Sequence, residues 1–99
     1  MAYEYFLGFD YGEKNIGIAV GNSISRTAQP LMIINSNQGK PDWELIESLI
    51  KEWEIDAFVI GIPYTADGKE TESIRKIRKF GNRLHGRFGL PLFEIDEGH

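Results

Sequence analysis

Tyr5-Phe6-Leu7-Gly8-Phe9-Asp10-Tyr11-Gly12-Glu13-Lys14-Asn15-Ile16-Gly17-Ile18-Ala19-Val20-Gly21 is the stretch that decides the fold of this chain. Tyr5 to Phe9 is a short apolar and aromatic run, and Asp10-Tyr11-Gly12 closes it, which predicts a buried strand entering a turn. After a few polar residues Ile16, Ile18 and Val20 alternate with smaller side chains. That period predicts a second strand over Asn15 to Gly21, returning antiparallel through a short hairpin. The glycines form no phosphate loop: there is no G-x-G-x-x-G between a strand and a helix and no Walker lysine. Set in and around a hairpin, they allow a backbone to pack or approach closely.

Downstream, Ala28 to Ile34 reads as a third strand and Asn35 to Lys40 as a polar loop. Pro41-Asp42-Trp43-Glu44 places proline and acids in a first helical turn. Trp43, Ile46, Leu49, Ile50 and Trp53 then recur at helical spacing and predict an amphipathic helix with these residues in the core. Ala57 to Ile62 is an apolar strand ended by Gly61-Ile62-Pro63, and Asp67-Gly68 marks a turn. A longer helix starts near Thr71, with Ile74, Ile77, Gly81, Leu84 and Phe88 as its inner stripe, and Leu90 to Ile95 is the last strand. The chain shows no repeat, low-complexity tract or linker, so residues 1–97 read as one domain, with Gly98-His99 as a remnant outside it.

The element order yields strand directions. Strands one and three both run antiparallel to strand two and are therefore parallel to each other. Helical crossovers join parallel strands, so strands four and five point the same way. The C-terminal ends of strands one, four and five then share one sheet edge, and in open α/β sheets that edge is where ligands bind. It carries Asp10, Gly61-Ile62-Pro63 and Asp96-Glu97. The expected fold is α/β, a five-stranded mixed sheet made of a three-strand antiparallel meander and two βαβ crossovers.

Two carboxylates brought together repel unless a cation or proton lies between them. Magnesium and manganese take hard oxygen ligands and need only one or two carboxylates plus a substrate phosphate. An Asp/Glu pair without Cys or useful His therefore suits metal-assisted phosphodiester hydrolysis. Strand alternation sends Asp96 and Glu97 to opposite faces, so one of the two joins Asp10, and spacing leaves the choice open.

The 99 residues carry a net charge of −4, yet residues 69–87 hold seven basic side chains against two acidic ones. Arg75, Lys79, Arg83 and Arg87 fall every fourth residue and form one ridge suited to phosphate contacts without sequence readout. Charged residues opposite an apolar stripe also make an ordinary solvated helix face, and the pattern alone weighs the two equally. Lys14 lies within reach of the carboxylate edge. Absence of cysteine excludes a disulfide scaffold or thiolate zinc site. No apolar run approaches a membrane span, and Met1-Ala2-Tyr3-Glu4 lacks the start of a secretory signal. The expected location is the cytoplasm.

Five ordered segments are similar to the YqgF/RuvX family: Phe9 to Ala19, Thr27-Ala28-Gln29-Pro30, Gly61-Ile62-Pro63 through Asp67-Gly68, Phe80 to Leu84, and Asp96-Glu97. These Holliday-junction-resolvase-like proteins are called pre-16S rRNA nucleases. The resemblance implies a ribonuclease-H-like fold and a magnesium- or manganese-dependent nuclease maturing the 5′ end of small-subunit rRNA, with branched DNA as the other substrate and the ribosomal particle as a partner. Asp10 matches the family's first-strand catalytic aspartate, and Glu97 matches the acid of its Asp-Glu-Arg motif, so these two are the expected catalytic and metal-binding residues. Gly12, Gly61, Pro63, Asp67 and Gly68 would line the substrate edge. The family continues with Arg and a helix bearing a third catalytic aspartate, where Gly98-His99 stand here. The chain is thus expected to be truncated, weakly active and open to homodimerisation. The rival of another class is a non-catalytic nucleic-acid- or ribosome-binding module. An actin-like ATPase would need a second phosphate hairpin, which the sequence lacks.

Overall fold

A computed structural model describes residues 3–97, so Gly98-His99, expected above to be a remnant, lie outside the described residues. Five strands form one sheet: β1 (Tyr5–Tyr11), β2 (Asn15–Asn22), β3 (Thr27–Asn35), β4 (Ala57–Ile62) and β5 (Leu92–Asp96). Their spatial order is β3-β2-β1-β4-β5. β2 is antiparallel to both β1 and β3, whereas β4 runs parallel to β1 and β5. These are the directions that the meander and crossovers require. A short 3-10 turn (Asn37–Gly39) follows β3, and helices α1 (Trp43–Glu52) and α2 (Glu72–Phe88) form the two crossovers.

Each helix starts on a side-chain cap, Asp42 accepting from the Leu45 amide and Thr71 from the Ile74 amide. Gly89 ends α2 in the left-handed conformation (φ 71°), the usual glycine terminator. The core lies between the sheet and the helices. Leu7 and Phe9 of β1, Ile16, Ile18 and Val20 of β2, and Phe58, Ile60 and Ile62 of β4 meet Ile46, Leu49, Ile74, Ile77, Phe80 and Leu84. Phe9 meets both Phe58 (5.8 Å between ring centroids) and Phe80 (5.4 Å) edge-on, an arrangement that adds to plain burial.

Phe80 corrects the expected α2 stripe. It is buried, whereas Phe88 is only half-buried against Trp43 and Phe58. Trp43 and Trp53 pack against the core without being enclosed by it. The last strand begins at Leu92 rather than Leu90, because Pro91 offers no amide to the ladder. Asp10 belongs to β1, not to the turn that follows it.

Both crossovers cover the same side of the sheet, and the other side stays open. Phe93 and Ile95 of β5 and Ile33 of β3 are exposed. The β1–β2 turn is tied down by Ser36, the one buried polar side chain among the described residues. Its amide donates to the Lys14 carbonyl (2.8 Å) and its hydroxyl to the Glu13 carbonyl. No helix among the described residues is long and apolar enough to cross a membrane.

Candidate carboxylate site at the sheet edge

Alternation along β1 sends Leu7, Phe9 and Tyr11 to the helices and Asp10 to the open face. Asp10 pairs with Gly17 of β2, and a Cβ on Gly17 would sit 3.6 Å from the Asp10 Cβ. On its other side, the β1–β4 register that pairs Phe9 with Ile60 brings Gly61 next to Asp10. Asp10 therefore has a glycine on each flank, and its carboxylate is exposed.

The same register settles the alternation left open at the end of β5. Ile62 pairs with Asp96, which places Asp96 on the helix-covered face with Glu94 and Leu92. Glu97 turns to the open face. Its amide extends the ladder by donating to the Ile62 carbonyl (2.9 Å), and its carboxylate lies over Gly61, in the space a Cβ there would fill. Asp10 and Glu97 thus project from the same face on either side of one missing side chain. A larger residue at 61 would displace one carboxylate.

No group of three Asp, Glu, His or Cys that could hold a metal ion occurs among the described residues. Two carboxylates beside a bare glycine backbone do fit a hard divalent cation that fills its remaining positions with water and substrate oxygens. Asp10 and Glu97 are the residues that would hold it.

The remaining expected residues fall in three places. Gly12 lies in the β1–β2 turn, where its amide donates to the Asn15 carbonyl (2.9 Å) and a Cβ would sit 2.9 Å from that oxygen. Pro63, Asp67 and Gly68 occupy the exposed loop after β4. Asp67 there accepts from the Thr65 hydroxyl (2.6 Å) and the Lys69 amide (3.0 Å), which hold its carboxyl below the usual range. No described contact brings that turn to Asp10.

The basic ridge lies on α2, on the opposite side of the sheet from the carboxylates. Lys76 and Arg78 of the same helix are neutralised: Lys76 pairs with Glu13 (2.8 Å), and Arg78 with Glu94 (3.0 Å) and Glu70 (3.1 Å). The ridge itself makes no ion pair among the described residues. Arg83 donates to the Gly39 carbonyl (2.7 Å), and the Arg87 guanidinium sits 4.5 Å from the Trp43 ring centroid. Arg75 and Lys79 are exposed. Gly17 is the neighbour of Asp10 that the motifs did not single out. Hairpin pairing about the Gly12–Lys14 turn was the signal for it.

Comparison with known proteins supplies relatives. The profile of a family described as "RuvX: Holliday junction resolvase" matches residues 4–99. A protein of Aeromonas salmonicida named "Putative pre-16S rRNA nuclease" is 53% identical over 97 residues, which is 98% of this chain and 69% of that protein. A Klebsiella pneumoniae protein of the same name is 48% identical over 93% of this chain and 67% of its own length. Among solved structures, T. thermophilus RuvC in complex with a Holliday junction substrate superposes with a TM-score of 0.60 at 12% identity, covering 96% of this chain and 66% of that one. At that identity the likeness shows the fold, which is ribonuclease-H-like.

Proposed function

This chain belongs to the RuvX Holliday junction resolvase family, a family of nucleases, and on that footing we propose that it is a metal-dependent phosphodiester hydrolase acting at Asp10 and Glu97. The observation that carries the reading is the pair of carboxylates sharing the open face over Gly61, in a fold where strand ends collect ligands. Asp10 and Glu97 are the residues that would hold a magnesium or manganese ion at this edge. Such an ion would supply an activated water and charge stabilisation at the phosphate. Gly17 leaves one flank of Asp10 clear for a phosphate, while the Glu97 carboxylate occupies the space over Gly61 on the other. Lys14, Arg75, Lys79, Arg83 and Arg87 attract the backbone and carry no sequence information.

The substrate favoured by the relatives' name is precursor 16S rRNA in the bacterial cytoplasm, presented on a ribosomal particle, with branched DNA as the family's other substrate. Exposed Phe93 and Ile95 beside Glu97 form an apolar patch on the same face. Asp10→Asn in the full-length protein tests the assignment. The expected result is loss of magnesium-dependent cleavage of a pre-16S 5′-end substrate by ~100-fold or more, with nucleic-acid binding and Tm retained. Undiminished cleavage would overturn it.

A further inference from the structure

Tyr11 follows Asp10 in β1 and therefore faces the helix side, where it lines a cavity of about 620 Å³ unconnected with the carboxylate pair. The cavity is framed by the β1–β2 turn, the Asn37–Gly39 turn and α2. Its cationic wall is Lys14, Lys40, Lys79 and Arg83, and its apolar wall is Tyr11 and Phe80, whose rings lie 4.9 Å apart. Glu13 is the one acidic residue in the lining, and it is already matched by Lys76 at 2.8 Å. That pair leaves Lys14, Lys40, Lys79 and Arg83 as a surplus of positive charge around an aromatic floor. Arg83 is fixed by its bond to the Gly39 carbonyl, and the backbone that carries Lys14 is held by the Ser36 clamp on the turn.

Cations that can meet a phosphate beside an aromatic surface that can meet a base are the two halves of single-stranded nucleotide recognition. The volume has room for one nucleotide and falls within the range of small-molecule sites. We propose that this cavity is a nucleotide-binding pocket that takes one unpaired nucleotide of a single-stranded nucleic acid, with its phosphate on Lys79, Arg83 and Lys14 and its base along half-buried Tyr11, whose ring is backed by buried Phe80. Because Asp10 and Tyr11 are consecutive and point to opposite faces, a strand crossing this sheet edge reaches the pocket on one side and the carboxylates on the other. The pocket would then hold the nucleotides flanking the hydrolysed bond. This last step rests on the proposed nuclease reading; the binding itself does not.

Binding of a short fluorescein-labelled oligouridylate, measured by anisotropy in EDTA, separates the two. Lys14→Gln and Lys79→Gln, both at exposed positions without an ion pair, should each weaken binding about 5-fold and lower the salt slope by about 0.7, the single-strand value per phosphate contact. Lys51→Gln removes the same charge from α1, away from the pocket, and should leave both unchanged. Unlabelled uridine 5′-monophosphate should displace the probe at a lower concentration than inorganic phosphate. Equal weakening by all three substitutions, or none by Lys14→Gln and Lys79→Gln, overturns the pocket. Equal displacement by phosphate and by the nucleotide overturns its assignment to a nucleotide. Because EDTA keeps metal from the carboxylates, either failure leaves the Asp10 and Glu97 reading standing.

Discussion

The Glu97 carboxylate lies over Gly61, the β4 neighbour of Asp10, so that the two acids share one face across a residue with no side chain. They come from chain segments far apart in sequence, and the parallel β1-β4-β5 register alone brings them together.

Gly61→Ala tests that geometry without touching a carboxylate. Gly61 is not among the residues with positive φ, so its backbone accepts alanine. The new Cβ claims the space of the Glu97 carboxylate, which must swing away. Magnesium titrations of cleavage should show apparent metal affinity falling by about 10-fold, in line with disturbed ligand support elsewhere. Thermal unfolding should move little, since a flexible side chain can yield. An unchanged magnesium midpoint would show that the placement of Glu97 is immaterial.

Alternation separates the two adjacent acids at the end of β5. Glu97→Gln should remove metal-dependent cleavage by ~100-fold or more, whereas Asp96→Asn, on the helix-covered face, should retain it within a few-fold. Single-turnover rates at saturating magnesium provide the comparison. The opposite ranking would mean that β5 presents its other face to the substrate.

On the helix side, Glu94 accepts from Arg78 Nε (3.0 Å) and from the Tyr64 hydroxyl (3.1 Å). The Arg78 guanidinium holds its carboxyl below the ordinary glutamate value, with a smaller contribution from Tyr64. A carboxylate with a depressed folded pKa stabilises the fold fully above the unfolded value of about 4.3, and this contribution fades as pH falls through the folded value. The pair is partly exposed, so its worth is at most about 1 kcal/mol. Glu94→Gln should therefore lower Tm slightly at neutral pH and flatten the loss of stability below pH about 4.3. An acid limb identical to that of the parent protein would assign the effect to other groups.

Much of this architecture was legible because it depends on period and direction. The alternation of Ile16, Ile18 and Val20 gave β2 its face, and the crossovers fixed the direction of β4 and β5. That sufficed to put Asp10 and Asp96-Glu97 on one edge. Choosing between Asp96 and Glu97 required the register, which depends on where β5 begins, and Pro91 moved that start by two residues. Phe80 was missed because Gly81 beside it also faces the sheet, and a glycine at the centre of a helix stripe widens the buried arc. The cavity between the two turns and α2 was not legible at all. It depends on Asn37, Gln38 and Gly39 all taking positive φ, a conformation that nothing in the local pattern announces for the first two.

Ser36 gives the β1–β2 turn a property that hairpin tips seldom have. By fastening the Glu13 and Lys14 carbonyls to the end of β3, it makes the turn part of the sheet's rigid body. Ordering a loose tip around a ligand draws on the binding free energy, and a tip already ordered by folding spares the complex that loss. Lys14 thus meets a polyanion from a backbone already in place, so its contribution is one of readiness as much as of attraction.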